Sequence, residues 1–395
     1  MKILFLCHRL PFPPNRGGRI RAFHILKHLS RDHQVTLASV RRSDDDAGAI
    51  EQLRAFSSRQ IVAPVSELGS WLSAVVRAPT PMPASFAYFH SPALGRSVRR
   101  ALADSYDVVF VHSAAMAACV AQVRATTVLD FGDMDSQKWH AYSRRKSIPV
   151  ALLYRLEKWK VQRAEVELAR RFDLCTCTTR AELDTLESYG AARHTGWFPN
   201  GVDADYFRPS AAPYDADTIC FLGRMDYYPN QDAMAWFCDR VLPEIRRQRP
   251  GVTLWIIGAS PSRAVLRLAE RPGVRVTGSV ADVRPYSGRA ALSVVPLNVA
   301  RGVQNKILES LAMGVPVVAS ALAARGTETV PGEHLLTASE PREFVAAIVR
   351  LLSDRQERQR LSRAGRARVL THHDWGVSMR RLDGLLAATL ASRAP

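Results

Sequence analysis

Residues 300–320 read ARGVQNKILESLAMGVPVVAS, and they place charges of both signs where a loop, a helix and a buried strand should meet. Arg301 and Gly302 lead into a helix expected to begin near Gln304 or Asn305, whose first-turn N–H groups have no partners within the helix. Lys306 lies in that first turn, where the helix dipole disfavours a cation. Glu309 follows three residues on, along the same face. A cation at the unfavourable end of a helix makes sense where an anion docks. The stretch therefore reads as a phosphate grip with a carboxylate beside it, although a short helix with a solvated face would carry the same charges.

Three other places have residue types suited to the same task. The first strand, KILFLC, runs into HRLPFPPNRGGRIRAF, where Gly17 and Gly18 open a helix. Glycine lets the backbone approach an anion, and a helix N-terminus offers free N–H groups. The pair lacks the GxGxxG dinucleotide pattern, and it would equally well close an ordinary turn. His112 ends the apolar run DVVFVH; in isolation a satisfied core histidine is the plainer reading. In FLGRMDYYPN, Gly223 and Arg224 directly follow a strand, and an arginine fork suits a diphosphate because it donates two parallel hydrogen bonds and stays charged.

These residues need elements to hold them. KILFLC (2–7), QVTLAS (34–39), QIVAP (60–64), DVVFVH (107–112) and TTVLD (126–130) have strand composition, with helical spacing near 20–30, 46–58, 67–77, 91–103 and 114–123. A second series follows: TICFLG (218–223), VTLWIIG (252–258), VRVTG (274–278), ALSVVP (291–296) and VPVVAS (315–320), with helices near 230–248, 262–270, 305–313 and 340–371. Strands alternating with helices imply parallel sheets, so two Rossmann-like, doubly wound α/β domains facing a cleft are expected. In such sheets ligands lie beyond the carboxyl ends of the strands. Loss of periodicity and three prolines in residues 198–218 mark a linker, placing the domains at 1–205 and 206–373. The apolar spacing of Val377, Leu382, Leu385, Leu386 and Leu390 predicts that a final helix, 374–391, packs back on the first domain.

A length of 395 residues agrees with two domains, and 47% hydrophobic with 23% charged residues marks a globular chain. No apolar run approaches the ~18 residues of a membrane span, and the start of the chain reads as a buried strand, not a leader. The six cysteines show no metal-ligand spacing and read as reduced core thiols of a cytoplasmic protein. The net charge of +17 draws anions: nucleic acid, acidic lipid headgroups or phosphorylated small molecules. Clusters lie at 96–100, 144–146 and 155–171, but no nucleic-acid-binding signature accompanies them. Residues 152–171 form a basic helix with Leu152, Leu156 and Trp159 along one side, which suits either a membrane surface or a core helix with a solvated face.

Taken in order, Gly17-Gly18, His112, FPNGVDADYF (198–207), FLGR (221–224) and ESLAMGVPVVAS (309–320) resemble the retaining B-type glycosyltransferases of glycosyltransferase family 4. MDYYPNQDAMAWF and ARGVQNKILES further resemble the sugar transferases associated with exosortase-linked exopolysaccharide clusters of bacteria. The resemblance implies a two-domain GT-B fold and transfer of a sugar from a nucleotide-sugar donor to a lipid-linked or other glycan acceptor. It places Gly17 and Gly18 under the donor diphosphate, Arg224 on it and His112 on the transferred sugar; by spacing, Gly223 joins them and Lys306 supplies positive charge from the other side. Glu309 falls on the donor ribose, with Arg301, Gly302, Gln304 and Asn305 lining the donor side. Neither a metal ion nor a cofactor is implied, nor a nucleic-acid partner; the DxD at Asp133 and Asp135 belongs to the pattern of metal-dependent A-type enzymes, and three-residue matches are common by chance. A cytoplasmic chain with peripheral contact to the inner face of an anionic membrane fits the same picture. Two departures stand out: Arg301 occupies the place of the first glutamate of the family motif, and Pro229 and Asn230 stand where a lysine usually follows the Gly-Arg pair. A nucleotide-sugar epimerase of the same fold, or a basic nucleic-acid-binding protein, are the rival classes.

Overall fold

The computed structural model describes residues 1–43, 45–46, 48–120, 123–144 and 146–393. Arg145, in one of the basic clusters, and residues 121 and 122 of the 114–123 helical stretch lie outside the described residues. The chain divides into two compact units, one comprising residues 1–199 and 379–395, the other residues 200–378.

The first unit holds a seven-stranded sheet of β1 (Lys2–Cys7), β2 (Gln34–Arg41), β3 (Arg59–Pro64), β4 (Val108–His112), β5 (Thr126–Gly132), β6 (Leu174–Cys177) and β7 (His194–Trp197). Its order is β3-β2-β1-β4-β5-β6-β7, and every pair is parallel. The second holds β8 (Asp215–Leu222), β9 (Thr253–Ile257), β10 (Val274–Gly278), β11 (Ala290–Val295), β12 (Val317–Ser320) and β13 (Leu336–Ala338) in the order β10-β9-β8-β11-β12-β13. Its pairs are likewise parallel. Both are the doubly wound arrangement, in which the strand order reverses beside the first strand. β4 and β11 are buried along their whole length, as strands with helices on both faces must be.

All ten expected strands are present. β6, β7 and β13 were not predicted from the spacing, and each is only three or four residues long, too short to show a period. The helical stretch 340–371 is two helices, Pro341–Ser353 and Arg355–His372, because Asp354 ends the first and caps the second through Glu357 N–H at 2.9 Å. The 230–248 stretch likewise divides into Tyr228–Arg240 and Leu242–Gln248, with Pro243 opening the second. Residues 114–119 form only a 3₁₀ turn. The Trp375–Arg393 helix lays Leu385 on Gly196, where a Cβ would meet its methyl groups, and Arg381 stacks 4.7 Å over Trp197. Asp383 bonds His28 at 2.8 Å, and Arg393 bonds Asp173 at 2.7 Å.

In the second unit, the Asn305–Ala312 helix is held by the Arg355–His372 helix at Gly365. A Cβ there would lie 2.6 Å from Leu311 and 2.8 Å from the carbonyl of His334, so the close approach requires glycine. Gly365→Val should cost about 1–3 kcal/mol through overpacking against that backbone. Urea denaturation measures it, and a midpoint equal to that of the unmodified chain would show the contact to be slack.

Candidate functional site

Gly17, Gly18 and His112 belong to the first unit, and the other candidates to the second. In the first unit the carboxyl ends of β1, β4 and β5 lie side by side, pairing Cys7 with His112 and His112 with Asp130. The His112 ring nitrogen Nδ1 bonds an Asp130 carboxylate oxygen at 2.8 Å. The other demands on that carboxylate are strong: Arg21 donates to both of its oxygens at 2.8 Å, and the Thr176 hydroxyl donates at 2.9 Å. Arg21 is itself buried, donates to the Phe198 carbonyl at 2.9 Å and stacks 3.7 Å from that ring. Burial alone would raise the Asp130 pKa, but the Arg21 charge and these hydrogen bonds outweigh it and hold the carboxyl well below the usual range. With Asp130 ionised, Nδ1 of His112 carries the proton and donates it, and Nε2 is the nitrogen left for a ligand.

Gly17 begins the Gly17–Asp32 helix, whose first turn has no acidic residue and no side-chain cap. A Cβ on Gly18 would lie 3.6 Å from the His8 ring, and that ring stacks on His112 with centroids 5.8 Å apart. His8 Nδ1 is buried without a hydrogen-bond partner among the described residues. Burial first, then the charges of His112, Arg9, Arg42 and Arg19, push the His8 pKa well down, so this ring is neutral at ordinary pH. Immediately after His112 the backbone of Ser113 takes φ +82°, a sharp turn for a residue other than glycine.

In the second unit the Asn305–Ala312 helix starts where the sequence placed it. Gly302 takes φ +57°, a left-handed turn, and Gln304 Nε2 closes it by donating to the Arg301 carbonyl at 2.9 Å. Asn305 accepts a 3.3 Å hydrogen bond from Asn200. Gln304 stands at the N-cap with no side-chain cap. The Lys306 amine reaches across to the end of β8. It donates to Asn230 Oδ1 at 2.5 Å, lies 4.5 Å over the Phe221 ring, and would be 3.1 Å from a Cβ on Gly223. Asn230 Nδ2 in turn donates to the Arg224 carbonyl at 2.8 Å. Withdrawal from water lowers the Lys306 pKa to about 7, against the opposing pull of Glu309, and raises Glu309 to about 7 against the pull of Lys306. The Arg224 guanidinium is engaged by Asp226 through Nε at 3.0 Å and Nη2 at 2.5 Å, with Ser260 Oγ 3.2 Å away.

Gly223, Lys306 and the Arg224 carbonyl thus come together around Asn230, with Glu309 interacting with Lys306 and the Arg224 guanidinium turned to Asp226, and Gly18 comes together with His112 through His8. Sequence reasoning missed Asp130, Arg21, Thr176 and His8. An aspartate ending the apolar run TTVLD was the available signal for the first, since a carboxylate in a buried strand demands a partner. Among the described residues no group of three or more metal-ligating side chains is assembled, and Asp133 is occupied by the Thr178 hydroxyl at 2.6 Å.

Because Asp130 is held below its unfolded pKa, its ion pair contributes in full above the ordinary carboxylate range, and the contribution fades as pH falls through the lower folded value. Asp130→Ala strands Arg21 in the interior and should cost about 3–5 kcal/mol near neutral pH. Thr176→Val should cost only about 1 kcal/mol. Equal denaturation midpoints for the two variants would contradict the ranking.

Residues 16–206 match the family model described as Glycosyltransferase Family 4, and residues 216–354 match that described as Glycosyl transferases group 1. A glycogen synthase of Mycobacterium tuberculosis is 26% identical over 265 residues, covering 62% of this chain and 59% of the relative. A GDP-mannose-dependent alpha-(1-6)-phosphatidylinositol monomannoside mannosyltransferase of the same organism is 29% identical over 232 residues, covering 52% of this chain and 59% of the relative. The chain therefore spans about 59% of the length of these curated relatives. Among solved structures, sucrose-phosphate synthase from Thermosynechococcus elongatus aligns over 99% of this chain and 100% of its own, with TM-score 0.72 and 17% identity. Anabaena HepE in complex with UDP-glucose aligns over 98% and 100%, with TM-score 0.68 and 17% identity. At that identity the likeness concerns the fold, and the expected fold class of two doubly wound domains of the GT-B kind is met. The chain carries a glycosyltransferase family 4 domain in its first half and a glycosyltransferase group 1 domain in its second.

Proposed function

We propose that this protein is a hexosyltransferase that moves a sugar from a nucleotide-sugar donor, with retention at the anomeric carbon, to a lipid-linked glycan acceptor in exopolysaccharide assembly, working at the inner face of the cell membrane. The observation that carries the reading is the Lys306 amine, set against Gly223 and Asn230 at the end of β8 with Glu309 one turn behind it. In the pattern the sequence resembles, a lysine would stand near position 230. Here the amine arrives from the Asn305–Ala312 helix instead, and Asn230 holds it. The two glycosyltransferase domains support the activity, as do a relative named for GDP-mannose and a structural neighbour holding UDP-glucose.

In this reading the donor diphosphate lies over Gly223 and the first turn of the Asn305–Ala312 helix. Lys306 meets it directly, and Arg224 meets it after exchanging Asp226 for phosphate. As the bond between the anomeric carbon and the phosphate oxygen breaks, negative charge grows on the leaving diphosphate beside both cations. A phosphate oxygen takes the acceptor's hydroxyl proton, and the acceptor oxygen bonds the anomeric carbon on the same face. Glu309 receives the ribose hydroxyls, His112 contacts the transferred sugar, and Arg301 bears on donor-sugar choice. No metal ion or cofactor enters the scheme. An epimerase would convert donor supplied alone, whereas a transferase needs an acceptor; donor-only incubation separates the two.

Lys306→Met should lower turnover more than donor affinity, by about 2–4 kcal/mol of transition-state stabilisation, while Glu309→Gln should chiefly raise the donor KM. Steady-state kinetics with a nucleotide sugar, chosen by thermal-shift screening of nucleoside diphosphates, measures both. Wild-type turnover in Lys306→Met would sink the assignment.

The pH behaviour gives a second check. A docked diphosphate stabilises the ammonium form and lifts the Lys306 pKa from about 7. Between the free and bound values, binding must take up a proton. Glu309 is raised by burial and held down by Lys306, so a docked anion draws proton uptake there as well. Calorimetry of nucleoside diphosphate binding near pH 8, in two buffers of different ionisation heat, should show proton uptake on the order of one proton, changed in Lys306→Met. Identical heats in the two buffers would contradict it.

A further inference from the structure

The Glu67–Arg77 helix is turned inside out. Its buried residues are Ser70 and Ala74, while Leu68, Trp71, Leu72, Val75 and Val76 are between 56% and 71% exposed. It is nonetheless well anchored: Ser66 caps it through Gly69 N–H at 3.0 Å, Ser70 accepts from Arg42 at 3.3 Å, and the Trp71 ring meets Tyr88 edge-on at 5.4 Å. The Ile148–Arg171 helix has a second apolar face, with Ile148, Leu152, Leu153, Leu156 and Trp159 all about half exposed or more. Apart from Met1, every exposed large apolar residue described in the first unit lies on these two helices. Such residues occur singly on ordinary surfaces; ten gathered on two helices mark an interaction face.

The two helices are tied together on their inner sides. Lys160 donates to the Ala78 carbonyl at the end of the first, and Glu157 accepts from the N–H groups of Ala84 and Ser85 further along the same connection. That arrangement also decides the charge of the outer face. The carboxylates of Glu157 and Glu165 are spent on buried hydrogen bonds, whereas Arg155, Arg163 and Arg170 follow Leu152, Leu156 and Trp159 at helical spacing and are exposed. Arg163 sits 5.8 Å over the Trp159 ring. Glu67 and Glu167 are the exposed acids that oppose them on the two helices.

We infer that these two helices form one docking surface for a lipid bilayer carrying anionic headgroups, the apolar side chains entering the interfacial region and the arginines meeting the headgroups. Tryptophans with leucines on one side and a basic flank are the composition of helices that lie in a membrane interface. A second copy of this chain fits poorly, because it would press arginine faces together with little acid to neutralise them. No helix among the described residues is long and apolar enough to cross a membrane, so the contact is peripheral. The inference rests on the lipid-borne acceptor reading for its purpose, but binding is read without turnover, so each can fail alone.

The test is flotation of the full chain with phosphatidylcholine vesicles, plain or carrying about 30% phosphatidylglycerol. Wild type should float with the anionic vesicles, with a blue shift of tryptophan fluorescence. The double variant Leu72→Glu, Val76→Glu should bind at least about ten-fold more weakly while keeping the wild-type melting temperature and nucleoside diphosphate binding, since both positions face outward. Trp159→Glu should weaken binding separately. Wild type remaining unbound, or floating unchanged by these substitutions, overturns the inference. So does a solution dimer that Leu72→Glu dissociates, which would assign the face to a second copy.

Discussion

Two parallel strands cannot be joined by a tight turn, because the chain must first return to the end from which the earlier strand began. Each return here runs through a helix or a longer crossover, and each strand finishes at the same edge of its sheet as its neighbours. That requirement brings His8, His112 and Asp130 within reach of one another although more than a hundred residues separate the first from the last. It also sets the end of β8 beside the start of the Asn305–Ala312 helix, so that Gly223 and Lys306 meet. Helices on both faces bury β4 and β11 along their whole length, and in β4 the polar side chain stands at the carboxyl end.

The two units treat buried charge in opposite ways. Around Asp130 the structure supplies more than one full partner: a two-pronged arginine, a hydroxyl and an imidazole. A carboxylate so satisfied is fixed in charge and position, and it fixes the ring beside it. Lys306 has a neutral amide and an aromatic face instead, with Glu309 as a more distant counter-charge, and both groups are left near the midpoint of their titrations. A group poised in this way gains most from a ligand of opposite charge. The first environment suits a rigid orienting element, the second a place that completes its electrostatics on binding.

Sequence patterns gave a sound account of the long elements and a thinner one of the networks. Ten strands were legible because apolar, β-branched runs of five or more residues lie between glycines and prolines. Segments such as LCTC and LTA are strands only because a neighbouring strand offers its edge, which no local pattern records. The convergence of Gly223 and Lys306 was anticipated from a helix start and a Gly-Arg pair, because both features are local. The Arg21–Asp130 pair was not, since its partners lie 109 positions apart and arginines are common throughout this chain. The inverted Glu67–Arg77 helix was legible as a helix but not as an exposed one: its apolar spacing is the usual mark of a core-facing stripe, and only tertiary packing shows that the small residues turned inward.

The contact between Asn230 and Lys306 bears on how such chains are compared. Column by column, an alignment to the pattern this sequence resembles would register a lysine lost after Gly223-Arg224 and, far downstream, an unrelated lysine gained. In the proposed reading the two changes concern a single volume, so a lysine restored at position 230 would bring its amine against that of Lys306. On that reading, a comparison by columns counts as a loss what a comparison by the group bordering Asn230 counts as kept.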